Sequence, residues 1–229
     1  MKSLPFLSFL LLALISCKQG PNEQQRIADV DKAFSQEEKA HPTEGGVTSN
    51  KSEPQKTMAA EKETITFGTG CYWCTEAIFQ QLDGVKSVTS GFMGGHIPDP
   101  TYEEVCTKTT GHIEVVHIVY DPSVVSTKTL LKWFWKSHDP TDAGGQGADR
   151  GPQYATTIFY HSDEQKSLSE ESMKIAQEAF DKPIATKIRK AETFYKAPEN
   201  HQDFYFNNKR HGYCNAVINP KLEKLGLDK

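Results

Sequence analysis

Residues 111–120 read GHIEVVHIVY and form the clearest β-strand pattern in the chain. Alternation puts Glu114 on a face whose other members are apolar or aromatic, namely Val116, Ile118 and Tyr120. The opposite face is also mostly apolar and consists of Ile113, Val115, His117 and Val119. Two apolar faces are typical of a strand that is covered on both sides. We therefore expect this strand in the interior of the domain.

Glu114 is the single carboxylate within that strand. If its side chain is buried, the loss of solvent disfavours the charged form and raises the pKa of the carboxyl group. A carboxyl group that keeps its proton near neutral pH is suited to act as a general acid. The alternative is a solvated position at the mouth of the strand, and the sequence does not decide between the two.

Apolar patterns on either side of this strand predict a mixed series of elements. Besides the strand at residues 112–120, strands are predicted at residues 64–68, 85–92, 154–160 and 184–194. Helices are predicted at residues 71–82, 126–138, 162–180 and 201–206. The series has neither a strict βαβ repeat nor a glycine-rich phosphate loop. We therefore predict an α+β fold in which helices pack on a sheet.

The composition limits the class of protein. The 229 residues are 37% apolar and 24% charged, which excludes a wholly disordered chain. The formal net charge is −4 and no basic stripe is present, so no nucleic-acid partner is expected. Five cysteines are too few for a disulfide scaffold, and their odd number indicates cysteine chemistry instead. Residues 62–229 have the length of one ordinary domain.

Residues 1–17, MKSLPFLSFLLLALISC, have the pattern of a secretory signal, with a lysine, an apolar stretch and a small residue before a cysteine. The apolar stretch is too short to span a bilayer. Its end resembles a bacterial lipoprotein box, so we expect a lipid on Cys17 that holds an exported protein at a membrane surface. Lys18 favours the outer membrane, with the domain facing the periplasm.

Residues 18–61 have a different composition, in which polar and charged residues dominate. Such a segment buries too little apolar surface to offset its ordering entropy, so we predict a flexible tether. The alternative is a short amphipathic helix at about residues 27–34.

The sequence Gly-Cys-Tyr-Trp-Cys at residues 70–74 places Cys71 at the turn between a predicted strand and a predicted helix. The dipole and the unpaired N–H groups of a helix start stabilise a thiolate, so we expect a lowered pKa and a nucleophilic role for Cys71. The C-x-x-C spacing with Cys74 also fits a thioredoxin-like redox pair. Cys106 and Cys214 are isolated, so no metal site is expected. Two inert cysteines are a further alternative.

Several motifs, in one order, resemble those of peptide methionine sulfoxide reductases of the A type. They are Gly-Cys-aromatic-Trp at 70–73, Pro-Thr-Tyr-Glu-x-Val-Cys at 100–106, Thr-Gly-His-x-Glu-Val-Val at 110–116, Tyr-Asp-Pro at 120–122, His-Asp-Pro at 138–140, Gln-Tyr at 153–154 and Gly-Tyr-Cys at 212–214. The resemblance covers residues 62–229. It implies the family's ferredoxin-like α+β fold, a two-layer sandwich with helices packed on a small mixed sheet.

The resemblance also implies roles for individual residues. Cys71 is the expected nucleophile and Glu114 the expected acid, while Tyr102 and Tyr154 donate hydrogen bonds to the substrate oxygen. Cys214 matches the family's resolving cysteine, and a C-terminal segment has to bring it to the site. Reduction of the sulfoxide leaves a sulfenic acid on Cys71, and a second thiol condenses with it to a disulfide.

The resemblance further implies that Tyr72 and Trp73 form the wall for the substrate methyl group, with Asp149 lining the same site. Tyr72 stands where the family usually has Phe, so its hydroxyl needs a partner or solvent. The sequence around Asp149 also departs from the family pattern. Cys74 is a second candidate resolving thiol, either as a backup or as a shuttle to the C-terminal cysteine.

We therefore expect an enzyme that uses thiols to reduce peptide-bound and free methionine S-sulfoxide. The expected reductant is thioredoxin-like, no cofactor is required, and a monomer is expected. The alternative is an exported thiol-disulfide oxidoreductase that uses Cys71 and Cys74 and does not depend on Glu114. A tethered binding module with inert thiols is a third hypothesis, and it predicts no fast-reacting cysteine.

Overall fold

A six-stranded mixed sheet is the framework of the domain in this computed structural model, which describes residues 23–40 and 62–227. The strands in the described residues are β1 (Glu63–Gly68), β2 (Val85–Met93), β3 (Ile113–Tyr120), β4 (Gly145–Gln146), β5 (Asp149–Arg150), β6 (Thr157–Tyr160), β7 (Lys187–Lys190) and β8 (Tyr195–Lys196). The sheet has the order β7-β6-β1-β3-β2-β8, and β4 pairs with β5 separately. Strands β6 and β7 are parallel, and the other neighbours in this sheet are antiparallel.

Helices pack against this sheet and against one another. They are α1 (Glu23–Ala40), α2 (Tyr72–Phe79), α3 (Tyr102–Cys106), α4 (Thr127–Ser137), α5 (Asp163–Gln177), α6 (Phe204–Asn207) and α7 (Asn219–Leu225). A short π-helix, Cys214–Ile218, leads directly into α7. Across the part of the chain that the structure describes, no helix has both the length and the apolar content of a membrane span. The mixed sheet with its helices confirms the predicted α+β class.

The predicted elements are present, and the differences lie at their ends. Strand β3 and helix α4 begin and end within one residue of the prediction. The strand predicted at residues 154–160 begins later because Pro152–Tyr154 forms a 3₁₀ turn. The strand predicted at residues 184–194 is reduced to the four residues of β7.

Two apolar clusters cover the two faces of the sheet. In the larger cluster, Phe67 of β1 packs against Phe79 of α2 and Phe134 of α4, with ring centroids 5.3 and 4.9 Å away. The smaller cluster lies on the opposite face and contains Met93, Ile113, Val115 and Phe159. Strand β3 lies between β1 and β2, and its side chains belong alternately to the two clusters, so both of its faces are covered. This position accounts for the two apolar faces of its sequence.

Helix α1 occupies a stretch that was predicted to be a flexible tether. Its buried side chains are Val30, Ala33 and Phe34, and ion pairs join Arg26 to Asp139, Asp31 to Lys136 and Glu23 to Lys224. The tether prediction is therefore corrected for residues 23–40, where apolar residues at helical spacing form a packed stripe. The alternative prediction, a short amphipathic helix at about residues 27–34, covers the centre of this helix. The predicted signal and the rest of the tether, residues 1–22 and 41–61, lie outside the described residues.

Replacing Phe34 with Ala should lower the free energy of unfolding by about 3 kcal/mol, because the change removes a buried ring between α1 and the domain. Urea unfolding followed by circular dichroism measures this difference. E38A changes an exposed residue of the same helix and is the matched control, with an expected effect below about 0.5 kcal/mol. If F34A were as stable as E38A, α1 would not be docked on the domain.

Candidate active site

Glu114 and Cys71 lie side by side at the start of α2. Strand β3 brings Glu114 to this point, where its Oε2 accepts a hydrogen bond from the Tyr72 N–H at 3.1 Å. Because Tyr72 directly follows Cys71, this bond places the carboxyl group beside the thiol. Glu114 is 3% exposed, so the structure contains the buried alternative and not the solvated one.

Burial raises the pKa of the Glu114 carboxyl group to about 8. The hydrogen bond from the Tyr72 N–H favours the charged form and opposes this increase, whereas the negative charges of Asp149 and Cys74 add to it. Glu114 therefore keeps its proton at neutral pH. A proton donor thus lies next to the first turn of α2.

The turn that presents Cys71 depends on glycine at position 70. Gly70 has a φ of +95°, a conformation that other residues rarely adopt. A Cβ at this position would lie 2.7 Å from Cγ of Gln146, so the close approach also requires glycine. The Cys71 carbonyl then accepts a hydrogen bond from the Cys74 N–H at 3.2 Å, and the helix begins.

The pKa of Cys71 is shifted in the direction opposite to the sequence prediction. Burial raises it well above the ordinary value of a thiol, and the neighbouring Cys74 and Glu114 add to the increase. The prediction of a lowered pKa is wrong because burial of the thiol outweighs the stabilisation expected from a helix start, where one N–H group is also not free. The Tyr72 N–H is instead bonded to Glu114. Cys71 is therefore a protonated thiol in the resting site.

Cys74 has the lower pKa of the two thiols. Its hydrogen bond with the Cys71 side chain lowers the pKa of Cys74 to about 7, although burial acts in the opposite direction. The hydroxyl of Tyr213 lies 3.7 Å from the Cys74 Sγ and makes a second contact. A negative charge on this pair is therefore carried by Cys74.

Tyr102 and Tyr154 face the same charges from two short helical segments. A capping box at residues 101–104 fixes the start of α3 at Tyr102, and Tyr154 ends a 3₁₀ turn. Burial raises the pKa of both phenols, a hydrogen bond with Cys106 adds to the increase at Tyr102, and the charges of Glu114 and Cys71 add to both. Both hydroxyl groups are therefore neutral donors near the acid and the thiol.

The two aromatic residues after Cys71 have different environments. Tyr72 is 1% exposed, and its hydroxyl lies 2.6 Å from Nδ1 of His201. His201 is thus the partner that the Tyr72 hydroxyl was predicted to need. Trp73 is half-buried and stacks on Phe204, with ring centroids 3.7 Å apart. This stack leaves Trp73 as an aromatic surface at the site.

Comparison with known proteins identifies the family. A family model described as peptide methionine sulfoxide reductase matches residues 63–228. The chain belongs to this family. It is a peptide-methionine (S)-S-oxide reductase, an oxidoreductase that reduces methionine sulfoxide by thiol chemistry. Helix α1 lies outside the matched residues.

Relatives and solved structures are similar over most of the domain. The peptide methionine sulfoxide reductase MsrA of Sulfolobus acidocaldarius is 49% identical over 163 residues, which cover 71% of this chain and 93% of that protein. The MsrA of Thermus thermophilus is 50% identical with the same coverage. The reduced form of Mxr1 from Saccharomyces cerevisiae has a TM-score of 0.65 at 30% identity and covers 69% of this chain and 92% of its own. Methionine sulfoxide reductase A of Corynebacterium diphtheriae has a TM-score of 0.61 at 33% identity, covering 68% and 78%.

Tyr213 is a residue of the reductase site that the sequence analysis did not assign. Its hydroxyl donates a hydrogen bond to Asp149 Oδ2 at 2.7 Å and lies beside Cys74. It therefore connects Asp149, which was predicted to line the site, with the pair of thiols. The available signal in the sequence is its place in the Gly-Tyr-Cys motif, directly before Cys214.

Cys214 is fully buried in the π-helix that precedes α7. Burial raises the pKa of this thiol, and the charge of Cys74 adds to the increase. The folded C-terminal segment therefore holds Cys214 where the charge of Cys74 acts on it, and the same charge acts on Cys71. Cys106, in contrast, is exposed on α3.

Glu76 is a second buried carboxyl group on α2, but it is bonded away from the thiols. Its oxygens accept hydrogen bonds from the Ser90 hydroxyl and the Phe204 N–H, and burial raises its pKa to about 7. Glu76 therefore joins α2 to its neighbours, whereas Glu114 faces the thiols. Among residues 23–40 and 62–227, no group of three or more His, Cys, Asp or Glu side chains is placed to hold a metal ion.

Proposed function

We propose that Cys71 attacks the sulfur of methionine S-sulfoxide, free or in peptides, while Glu114 gives its proton to the sulfoxide oxygen. The observation that carries this proposal is the hydrogen bond between Glu114 and the Tyr72 N–H, which holds a protonated acid beside the thiol. A positioned general acid contributes a factor of about 10²–10⁴ to such a reaction.

The sulfoxide oxygen leaves sulfur readily only when it is protonated or strongly hydrogen-bonded, since its negative charge is otherwise not stabilised. Glu114 supplies the proton, and the neutral hydroxyl groups of Tyr102 and Tyr154 donate hydrogen bonds to the same oxygen. Trp73 offers the surface for the substrate methyl group, with the ring of Tyr72 behind it.

Cys71 has to lose its own proton as it attacks. Cys74 is the acceptor closest at hand, because the two side chains share a hydrogen bond and Cys74, with a pKa of about 7, is partly ionised at neutral pH. The attack forms a bond between the Cys71 sulfur and the sulfoxide sulfur. This bond and the S–O bond of the sulfoxide then break as the protonated oxygen is transferred to Cys71, which becomes a sulfenic acid. The sulfoxide sulfur gains two electrons and leaves as the thioether of methionine.

A second thiol removes the sulfenic acid. Cys74 attacks the Cys71 sulfur, an S–S bond forms, and the oxygen leaves as water. The hydrogen bond between these thiols favours Cys74 for this step over Cys214, which the sequence favoured. The position of Cys214 near Cys74 supports the shuttle alternative, in which Cys214 then exchanges into the disulfide. A thioredoxin-like dithiol supplies the two electrons that restore the enzyme.

Replacing Glu114 with Gln should lower the single-turnover rate of methionine formation by about 10²–10⁴ at neutral pH, since Gln has no proton to give. In the wild-type enzyme the rate should rise as Cys74 ionises near pH 7, and it should fall above about pH 8 as Glu114 loses its proton. Rapid quenching and chromatography of methionine measure both effects.

The matched control is Glu76→Gln, which changes a carboxyl group that is also buried on α2 but bonded to Ser90. This variant should keep the wild-type rate, while Cys71→Ser should form no methionine. An E114Q variant as fast as the wild type would contradict the proposed acid. The alternative, a thiol-disulfide oxidoreductase, predicts instead that disulfide exchange is unchanged in E114Q.

Replacing Cys214 with Ser should trap a Cys71–Cys74 disulfide after one turnover without reductant, because the next exchange partner is missing. Replacing Cys74 with Ser should prolong the life of the sulfenic acid, detected by dimedone labelling and mass spectrometry. C106S removes an exposed thiol outside the assigned order and should form the same disulfide as the wild type. A Cys71–Cys214 disulfide that forms equally fast with and without Cys74 would exclude the assigned order.

The proposed location is a membrane surface outside the cytoplasm, with a lipid on Cys17. The support is the signal-like sequence of residues 1–17 and the cysteine at its end. In cells, C17S should move the protein out of the membrane fraction, as detected by fractionation and immunoblotting. C106S should stay in that fraction. A C17S variant that remained with the membrane to the same extent would contradict the anchor.

A further inference from the structure

The hydroxyl of Tyr72 takes no part in the chemistry proposed above, yet it is buried and hydrogen-bonded. It lies 2.6 Å from Nδ1 of His201, and the two residues are 1% and 8% exposed. Burial lowers the pKa of His201 and strongly raises the pKa of Tyr72, so both groups are neutral and share a neutral hydrogen bond. A ring without this hydroxyl would pack against a methyl group equally well, so the hydroxyl has another effect.

The backbone at His201 is held firmly by its neighbour. The Gln202 side chain accepts a hydrogen bond from the Ser90 N–H and donates to the carbonyls of Ser90 and Ala197, at 2.9 to 3.0 Å. These bonds join the segment to strand β2. With the backbone fixed in this way, rotation of the imidazole is the main freedom left to His201, and the Tyr72 hydroxyl sets that rotation.

The imidazole of His201 in turn contacts two side chains that are assigned to substrate binding, Tyr102 and Trp73. Its centroid lies 4.6 Å from the Tyr102 ring, at an interplanar angle of 55°, and 5.3 Å from the Trp73 ring. Tyr102 is only half-buried and starts the five-residue helix α3. The ring of His201 therefore supports Tyr102 from another segment, whereas the side-chain hydrogen bond of Tyr102 with Cys106 lies within its own helix.

We propose that Tyr72 and His201 form a positioning pair, in which their hydrogen bond fixes the imidazole and the imidazole holds the Tyr102 ring where its hydroxyl meets the sulfoxide oxygen. This inference rests on the proposed function, since it assumes that Tyr102 binds the substrate oxygen. Tyr72 and His201 act through Tyr102, so both are positioning residues. The backbone N–H of Tyr72 separately holds Glu114. Tyr72 therefore positions both the acid, Glu114, and the hydrogen-bond donor, Tyr102.

Replacing Tyr72 with Phe should lower kcat/KM for a peptide containing methionine sulfoxide by about three- to tenfold. The change removes one neutral hydrogen bond and leaves Nδ1 of His201 without its partner, while the aromatic ring remains. Steady-state assays with a small dithiol as reductant measure this effect, and thermal unfolding confirms that the variant is folded.

The matched control is Tyr120→Phe, because the Tyr120 hydroxyl is also buried and lies 2.6 Å from Glu63 and 2.7 Å from Thr127, away from the thiols. Y120F should lower stability by a similar amount and leave kcat/KM unchanged. A purely structural role for the Tyr72 hydroxyl would instead make the two variants indistinguishable in both measurements.

A double-mutant cycle with Tyr102→Phe tests whether Tyr72 acts through Tyr102. The effect of Y72F on kcat/KM should disappear in the Y102F background, since the ring then has no hydroxyl to position. Unchanged kcat/KM in Y72F, or fully additive effects of Y72F and Y102F, would overturn the positioning pair. Failure of the proposed function is distinguished separately, because Cys71→Ser would then still form methionine from the sulfoxide.

Discussion

A carboxyl group buried between the central strand and the first helix of the domain controls the chemistry of this site. Glu114 receives a hydrogen bond from the Tyr72 N–H, but burial outweighs it, and the acid keeps its proton at neutral pH. The same bond consumes an N–H group that would have stabilised a thiolate on Cys71. Acid and nucleophile are therefore both protonated at rest, and Cys74 holds the negative charge. Burial, this hydrogen bond and the one between the two thiols together determine how protons are distributed over the three side chains.

Features that depend on local pattern could be predicted from the sequence. The alternation in residues 111–120 indicated a covered central strand because a period of two reports on both faces directly. The Thr-Gly break before Cys71 indicated the turn, since Gly70 has a positive φ that few other residues adopt. Helix α1 was not predicted as a packed element, because its composition is polar and its ion-pair partners, such as Asp139 and Lys224, lie far along the chain.

Features of the site that depend on contacts between distant segments could not be predicted in the same way. The direction of the pKa shift at Cys71 depends on which acceptor takes the Tyr72 N–H, and that acceptor comes from another strand. The need for a partner to the Tyr72 hydroxyl followed from the sequence, but its identity, His201, did not, because the two are separated by 129 positions. The relation of Cys74 to Cys214 likewise required the fold of the C-terminal segment.

Direct titration of Glu114 tests the central claim most closely. With ¹³C-labelled glutamate in the reduced enzyme, NMR can follow the side-chain carboxyl resonance through the neutral range, and its absence in E114Q assigns it. Burial beside the first turn of α2 predicts a midpoint of about 8. A midpoint near the ordinary glutamate value of 4.5 would mean that the acid is already ionised at neutral pH, and it would contradict proton transfer from Glu114 to the sulfoxide.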